Sequence, residues 1–300
     1  HSLWAERYDG ELADVFALQD EIRHKIVNAL SIQLMEGDTR SVWHHRTNNF
    51  VAYDLLLQAR SLANQVTRDG TERAIGLYRK AIELDPGFGR AYGNLSTILI
   101  RSVLRGYADN SESVLKQAYE QATKAVALDP QSPNTLWSLG YAYMIQKNSE
   151  QAIEALQKAV AISPSFADGY GLLALINNNM GKAHEAIRYA RKGMELNPMY
   201  TWDYPYNLGR AYYAIEEYET AVIHLTEALD RNPAVMQPRL YLIGSYVQLD
   251  KLEDAEWEVT ELELQHPQLN LSLVREMSPL RDPNLRQRLF SDLLTAGRED

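Results

Sequence analysis

No cysteine occurs among the 300 residues. Its absence excludes disulfides, thiolate zinc sites and a cysteine nucleophile, and it fits a reducing compartment. Long apolar runs are missing too, since none approaches the ~20 residues that a bilayer-spanning helix needs. Basic residues are in the minority, with 30 Lys and Arg against 40 Asp and Glu. The net charge of −10 repels a phosphate backbone and an anionic membrane alike, so neither nucleic acid nor membrane is expected as a direct ligand. What remains is ordinary globular material, 45% hydrophobic and 23% charged, with ample apolar surface to bury. Length suggests about two domains, a prior that a repeat array breaks because it grows by stacking.

Internal repetition is the strongest pattern present. Six segments end alike: "AIELDP" at Pro86, "AVALDP" at Pro130, "AVAISP" at Pro164, "GMELNP" at Pro198, "ALDRNP" at Pro233 and "LELQHP" at Pro267. An alanine stands twelve residues before each proline, at Ala74, Ala118, Ala152, Ala186, Ala221 and Ala255. The spacings are 44, 34, 34, 35 and 34. A period of about 34 residues is that of a helix-turn-helix unit. Proline ends each second helix, because it cannot continue the hydrogen-bond ladder and drives its predecessor to extended geometry. "SPNT" restarts one, with Ser132 expected as N-cap and Pro133 in the first turn. The unit ending at Pro130 carries about ten extra residues, expected in "RGYADNSES" or as longer helices on either side. In the first unit "QVTRDGTE" is expected to be a stretched turn, and the last unit has Ile243 where a small residue belongs.

Residue by residue the pattern resembles the tetratricopeptide repeat. In the third unit Leu139, Gly140, Tyr143, Ala152, Leu156, Ala159 and Pro164 match it, and in the fifth Leu208, Gly209, Tyr212, Ala221, Leu225 and Ala228 do. Small residues at Gly140, Gly209, Ala152 and Ala221 would let paired helices approach closely, where larger ones would open voids. The resemblance implies an all-α superhelical solenoid of helix-turn-helix repeats, with six units over residues 47–267. Residues 268–300 are expected to form a C-terminal capping helix, on the stripe of Leu285, Leu289, Phe290, Leu293 and Leu294. Upstream, "SLWAERYD" alternates like an edge strand, and Ile22, Ile26, Val27, Leu30 and Leu34 place a helix over 19–34. "LWAERYDGELADVFALQDEIRHKIVNAL" resembles the end of a TolB-like domain that joins a catalytic or DNA-binding module to tetratricopeptide repeats in bacterial regulators. Residues 1–46 are therefore expected to be a remnant of that domain with its linker helix. "RDPNLRQRLFSDLLTAGRED" is similar to the usual ending of the same proteins.

Other motifs carry no chemistry. "GYGLLA", residues 169–174, has the dinucleotide spacing but falls at the start of a helix with no preceding strand, so helix packing is the expected role of Gly169 and Gly171. In "HEAIR", Arg188 stands where a zinc helix needs a second histidine to His184. His44 and His45 are expected to be solvated, "NLS" at Asn94 sits in a helix, and no P-loop lysine or serine triad is present. No metal, cofactor or catalytic residue is expected.

In this family the first helix of each unit lines a concave face. Carried onto this chain, its inward places give Arg90, Asn94, Thr97 and Arg101, then Asn134, Trp137, Ser138 and Tyr141. Later units give Asp168, Asn178 and Asn179, then Tyr206, Asn207, Arg210 and Tyr213, then Gln237, Tyr241 and Gln248. Asn and Arg can bond a peptide backbone or carboxylate, and Trp and Tyr offer rigid contact area. The alternative role of the aromatics is packing between units. A chaperone-type carboxylate clamp is not expected, because Trp137 and Tyr141 stand in its places. The expected function is a cytoplasmic, non-catalytic interaction or sensory module that takes a protein or peptide in the groove and regulates a class III adenylate or guanylate cyclase in a longer polypeptide. By itself the chain is not expected to make cyclic nucleotide. The rivals are the same module on a winged-helix transcription regulator and a free-standing scaffold. Oligomeric state stays open, with a homodimer among the options.

Overall fold

A computed structural model of the chain describes residue 47 and residues 49–297. The expected edge strand, the helix over 19–34, the TolB-like remnant and His44 and His45 lie outside the described residues. Fourteen helices follow one another among those described, with no strand between them. The first unit pairs α1 (Phe50–Ala63) with α2 (Arg68–Leu84), and the second pairs α3 (Gly89–Leu104) with α4 (Ser111–Leu128). Next come α5 (Pro133–Ile145) with α6 (Ser149–Ile162), and α7 (Ala167–Asn179) with α8 (Ala183–Leu196). The last two pairs are α9 (Asp203–Ala214) with α10 (Tyr218–Arg231), and α11 (Met236–Gln248) with α12 (Leu252–Gln265). A short α13 (Leu271–Met277) and then α14 (Pro283–Thr295) close the chain. From α1 to α12 each helix packs on its sequence neighbour, α13 packs on α14, and from α3 to α11 consecutive first helices also touch. The result is a helical solenoid.

Small residues set the spacing within units. A methyl group added at Gly140 would stand 2.9 Å from Leu156 Cγ, and one at Gly209 would overlap Leu225. Ala152 and Ala221 are fully buried opposite them. On α7 the same logic explains "GYGLLA": a methyl group at Gly169 would lie 2.8 Å from Val160 Cγ1, and one at Gly171 3.1 Å from the Tyr204 ring. These glycines are packing residues.

Three local details differ from the sequence reading. "RDGTE" is not turn but the first part of α2, because Thr67 caps it, its side chain accepting from Gly70 N at 3.0 Å, and Asp69 favours the positive helix start. Ser132 does stand at the N-cap of α5, yet its side chain makes no capping bond; Thr135 Oγ1 instead donates to Asp129 O at 2.6 Å. The extra length of the second unit is shared out. Its helices have 16 and 18 residues against 13 and 14 in the third unit, and the rest lengthens the turn.

In every unit the turn between the two helices contains one residue at positive φ: Val66, Gly106, Lys147, Gly181, Glu216 and Asp250. In the last five, the next N–H reaches back five residues, as in Asn148 N to Tyr143 O at 2.9 Å and Glu217 N to Tyr212 O at 3.0 Å. This is a Schellman closure, which satisfies carbonyls left open at a helix end.

The C-terminal segment does more than cover the last unit. It runs back along the array on the side of these turns. Arg281 N donates to Asn179 O at 2.9 Å, and the Arg281 guanidinium donates to Lys147 O in the third unit. Arg288 donates to Tyr213 O and Ala214 O, both at 3.0 Å, and pairs with Glu216 in the fifth. The buried core falls into two main parts. One joins α1 to α4 with Ala142, the other runs from Ala152 to Ala296, and Tyr141 packs against both.

Candidate functional site

The first helices wall a groove of about 900 Å³. From α3 come Arg90, Asn94, Thr97 and Arg101, and from α5 Asn134, Trp137, Ser138 and Tyr141. Asp168 and Asn179 of α7, Tyr206, Asn207 and Arg210 of α9, and Gln237 and Tyr241 of α11 complete the expected set that meets there.

Asn178, Tyr213 and Gln248 do not line it. Asn178 is buried and its amide donates to Asn207 O at 2.9 Å, tying α7 to α9. Tyr213 is fully buried; its hydroxyl donates to Asp292 Oδ2 of α14 at 2.5 Å, and Gln248 Nε2 donates to Asp292 Oδ1 at 2.6 Å. Asn178 and Tyr213 each stand one helical turn beyond the small residue of their helix, Ala174 and Gly209. There a side chain turns toward the next helix or the returning tail and away from the groove. The tail itself enters the lining through Ser278, Pro279 and Leu289, with Val274 of α13, so this chain fills the far end of its own concavity.

The aromatic residues both pack and present surface. Trp137 is half-buried, its Nε1 donates to Asp168 O at 3.0 Å, and its ring stacks on Tyr141 with centroids 5.3 Å apart. Tyr206 and Tyr241 meet edge to face at 6.1 Å. Arg210 lies between them, 5.3 Å from each ring centre and 2% exposed. Its NH2 donates to Asn179 Oδ1 at 3.0 Å, and its Nε has no partner. No carboxylate pairs with it among the described residues. The equally buried Arg239, outside the groove, is paired with Glu258.

Charge in the groove runs opposite to charge on the chain. Sequence reading missed Arg60 of α1, a lining residue that follows the buried small Ala59 as Arg210 follows Gly209. The signal is legible, since Arg60 takes in the first unit the place that Arg210 takes in the fifth. Asp203, Trp202 and Tyr204 of the fifth unit were also missed. Among the described residues Arg60, Arg90, Arg101 and Arg210 thus share the lining with two carboxylates, Asp168 and Asp203. Burial pushes the nearby Tyr78 hydroxyl up to about 12 against the pull of Arg60, Arg101 and Arg90. Burial, then the charge of Arg101, holds Arg105 below the ordinary arginine value. Asp168 is raised, first by desolvation and then by Asp203, and Arg101 and Arg60 only partly offset this.

Stacked helix pairs around a polar and aromatic groove define a helical-repeat interaction module. Two stretches of it match models of the tetratricopeptide repeat. A family model described as TPR repeat matches residues 140–186, and one described as tetratricopeptide repeat matches residues 206–265. A solved structure of PilF from Pseudomonas aeruginosa superposes with a TM-score of 0.55 at 21% identity, covering 73% of this chain and 95% of that one. The Cut9–Hcn1 hetero-tetramer of the APC/C does so with a TM-score of 0.60 at 17% identity, covering 81% of this chain and 46% of that one. Both likenesses concern the fold. A Rhizobium meliloti (strain 1021) protein named "Putative adenylate cyclase 3" is 33% identical over 140 residues, which is 47% of this chain and 24% of that protein. Among the described residues no helix is long and apolar enough to cross a membrane.

Proposed function

We propose that this chain is the regulatory tetratricopeptide module of a class III adenylate or guanylate cyclase, working in the cytoplasm. The groove captures a peptide segment of a partner, and capture shifts the relative placement of two cyclase domains that must pair to complete an active site. The observation that carries the reading is the 33% identity over 140 residues to a relative named as an adenylate cyclase, a stretch amounting to 24% of that relative. The groove supports the capture step, because Trp137, Tyr141, Tyr206 and Tyr241 offer rigid apolar faces beside asparagine and arginine donors.

The test is made on the intact polypeptide from the native gene, by measuring cyclic AMP and cyclic GMP formed from ATP and GTP. Cyclic nucleotide is expected, and the double variant Trp137→Ala and Arg210→Gln is expected to change its rate response to partner extract. A winged-helix domain upstream with no cyclic nucleotide formed would replace this reading with that of a transcription regulator.

A further inference from the structure

The sign of charge in the groove is the least expected feature of the molecule. A chain with ten surplus negative charges gathers Arg60, Arg101 and Arg210 into one concavity, and among the described residues only two carboxylates, Asp168 and Asp203, line it. Neither carboxylate is in an ion pair with these arginines: the ion pairs formed among the described residues lie elsewhere, mostly on exposed helix faces. Burying a guanidinium such as that of Arg210 with no carboxylate beside it costs free energy unless an anion joins it. Chains seldom carry such a set without a use for it.

The set is also spaced. Arg60 and Arg101 stand at one end, on α1 and α3, and Arg210 stands on α9. Between them the Trp137–Tyr141 stack supplies an apolar platform. Three steps between consecutive first helices, at about 9 Å each, separate α3 from α9. At about 3.3 Å per residue an extended peptide crosses that span in roughly eight residues. A small anion would fill only one corner of it.

We propose that the groove selects an extended acidic peptide, with carboxylates held by Arg60 and Arg101 at one end and by Arg210 at the other, and an aromatic or apolar side chain laid on Trp137 and Tyr141. This deepens the proposed function and rests on its capture step. Arg90 borders the first station and Asn94 lies beside it, within reach of the peptide backbone. The surplus of acid on the rest of the surface then acts as a filter, since it repels acidic segments everywhere except at the groove.

Fluorescence anisotropy with three labelled twelve-residue peptides tests this on the 300-residue chain. One consists of Glu and Tyr, the second has every Glu replaced by Gln, and the third has every Glu replaced by Lys. The Glu peptide is expected to bind about tenfold more tightly than the Gln peptide. Arg60→Gln with Arg101→Gln should bring it down to the Gln level. Arg60→Gln alone, at the exposed last turn of α1, should cost part of the difference without endangering the fold. Arg73→Gln removes the same charge from an exposed outer position paired with Asp69 and should change nothing. Equal binding of the Glu and Gln peptides, tighter binding of the Lys peptide, or equal loss in Arg73→Gln would overturn the selection of acid while leaving groove capture standing. Failure of all three peptides to bind would overturn both.

Discussion

At the scale of single residues, the small side chains that let helices pair are the most sensitive positions. A methyl group at Gly209 has nowhere to go, because Leu225 is fully buried and its backbone N lies 3.2 Å from the added atom. Gly209→Ala is therefore expected to lower stability by about 1–3 kcal/mol, as overpacking does in a close-packed interior. Gly76 on α2 meets nothing within 4 Å, so Gly76→Ala should raise stability by up to about 1 kcal/mol through helix propensity alone. Urea unfolding of the two variants beside the parent checks both signs. That Gly209 packs was legible, because the repeats restate their small position at Gly140, Ala174 and Gly209, and that Gly169 packs was legible from its place at the start of a helix with no preceding strand. Tyr213 was not legible. It matches the pattern of a groove residue, and its actual partner, Asp292, stands 79 residues further on.

At the scale of elements, α14 is held by polar groups as much as by its leucine stripe. Asp292 is buried and accepts from Tyr213 and Gln248. Burial nevertheless leaves its carboxyl above the ordinary aspartate value, with those two hydrogen bonds and Arg288 only partly opposing the shift. A carboxyl whose folded-state pKa exceeds its unfolded value of about 3.9 holds its proton more tightly when folded. Its ionisation then costs stability at neutral pH, and the cost fades as pH falls through the folded value toward the unfolded one. The parent is thus expected to gain stability relative to Asp292→Asn on acidification from pH 7 to about pH 4. Asp292→Ala, which strands the tyrosine and glutamine donors, should cost about 1–3 kcal/mol at neutral pH. Thermal unfolding of the three proteins across that range decides it, and a parent that loses ground to Asp292→Asn on acidification would reverse the sign. The helix-to-helix turns show the other side of legibility. Six units use one left-handed residue each, yet only Gly106 and Gly181 are glycine, so composition gave no cue at Val66, Lys147, Glu216 or Asp250.

At the scale of the whole molecule, a repeat array has nearest-neighbour energetics, and a tail that returns along it adds contacts the period does not contain. The core of α1 to α4 is nearly separate from the rest, while the tail fastens the third, fourth, fifth and sixth units together. Amides of α1 and α2 are therefore expected to exchange with deuterium through cheaper openings than those of α7, α9 and α11. Truncation before Asp282 should strip protection from α9 and α11 and leave α1 and α2 unchanged. Uniform loss along the array would mean that the two cores open as one. By itself the sequence determined the period, the helix pairs, the small residues between them and the proline that ends each unit. These depend on interactions within one unit or with the next, and every repeat carries them in its own 34 or so residues. Tertiary structure alone decided the path of the tail and the burial of Asn178 and Tyr213. Those follow from how stacked units bring distant residues to one surface, and no local pattern encodes that distance.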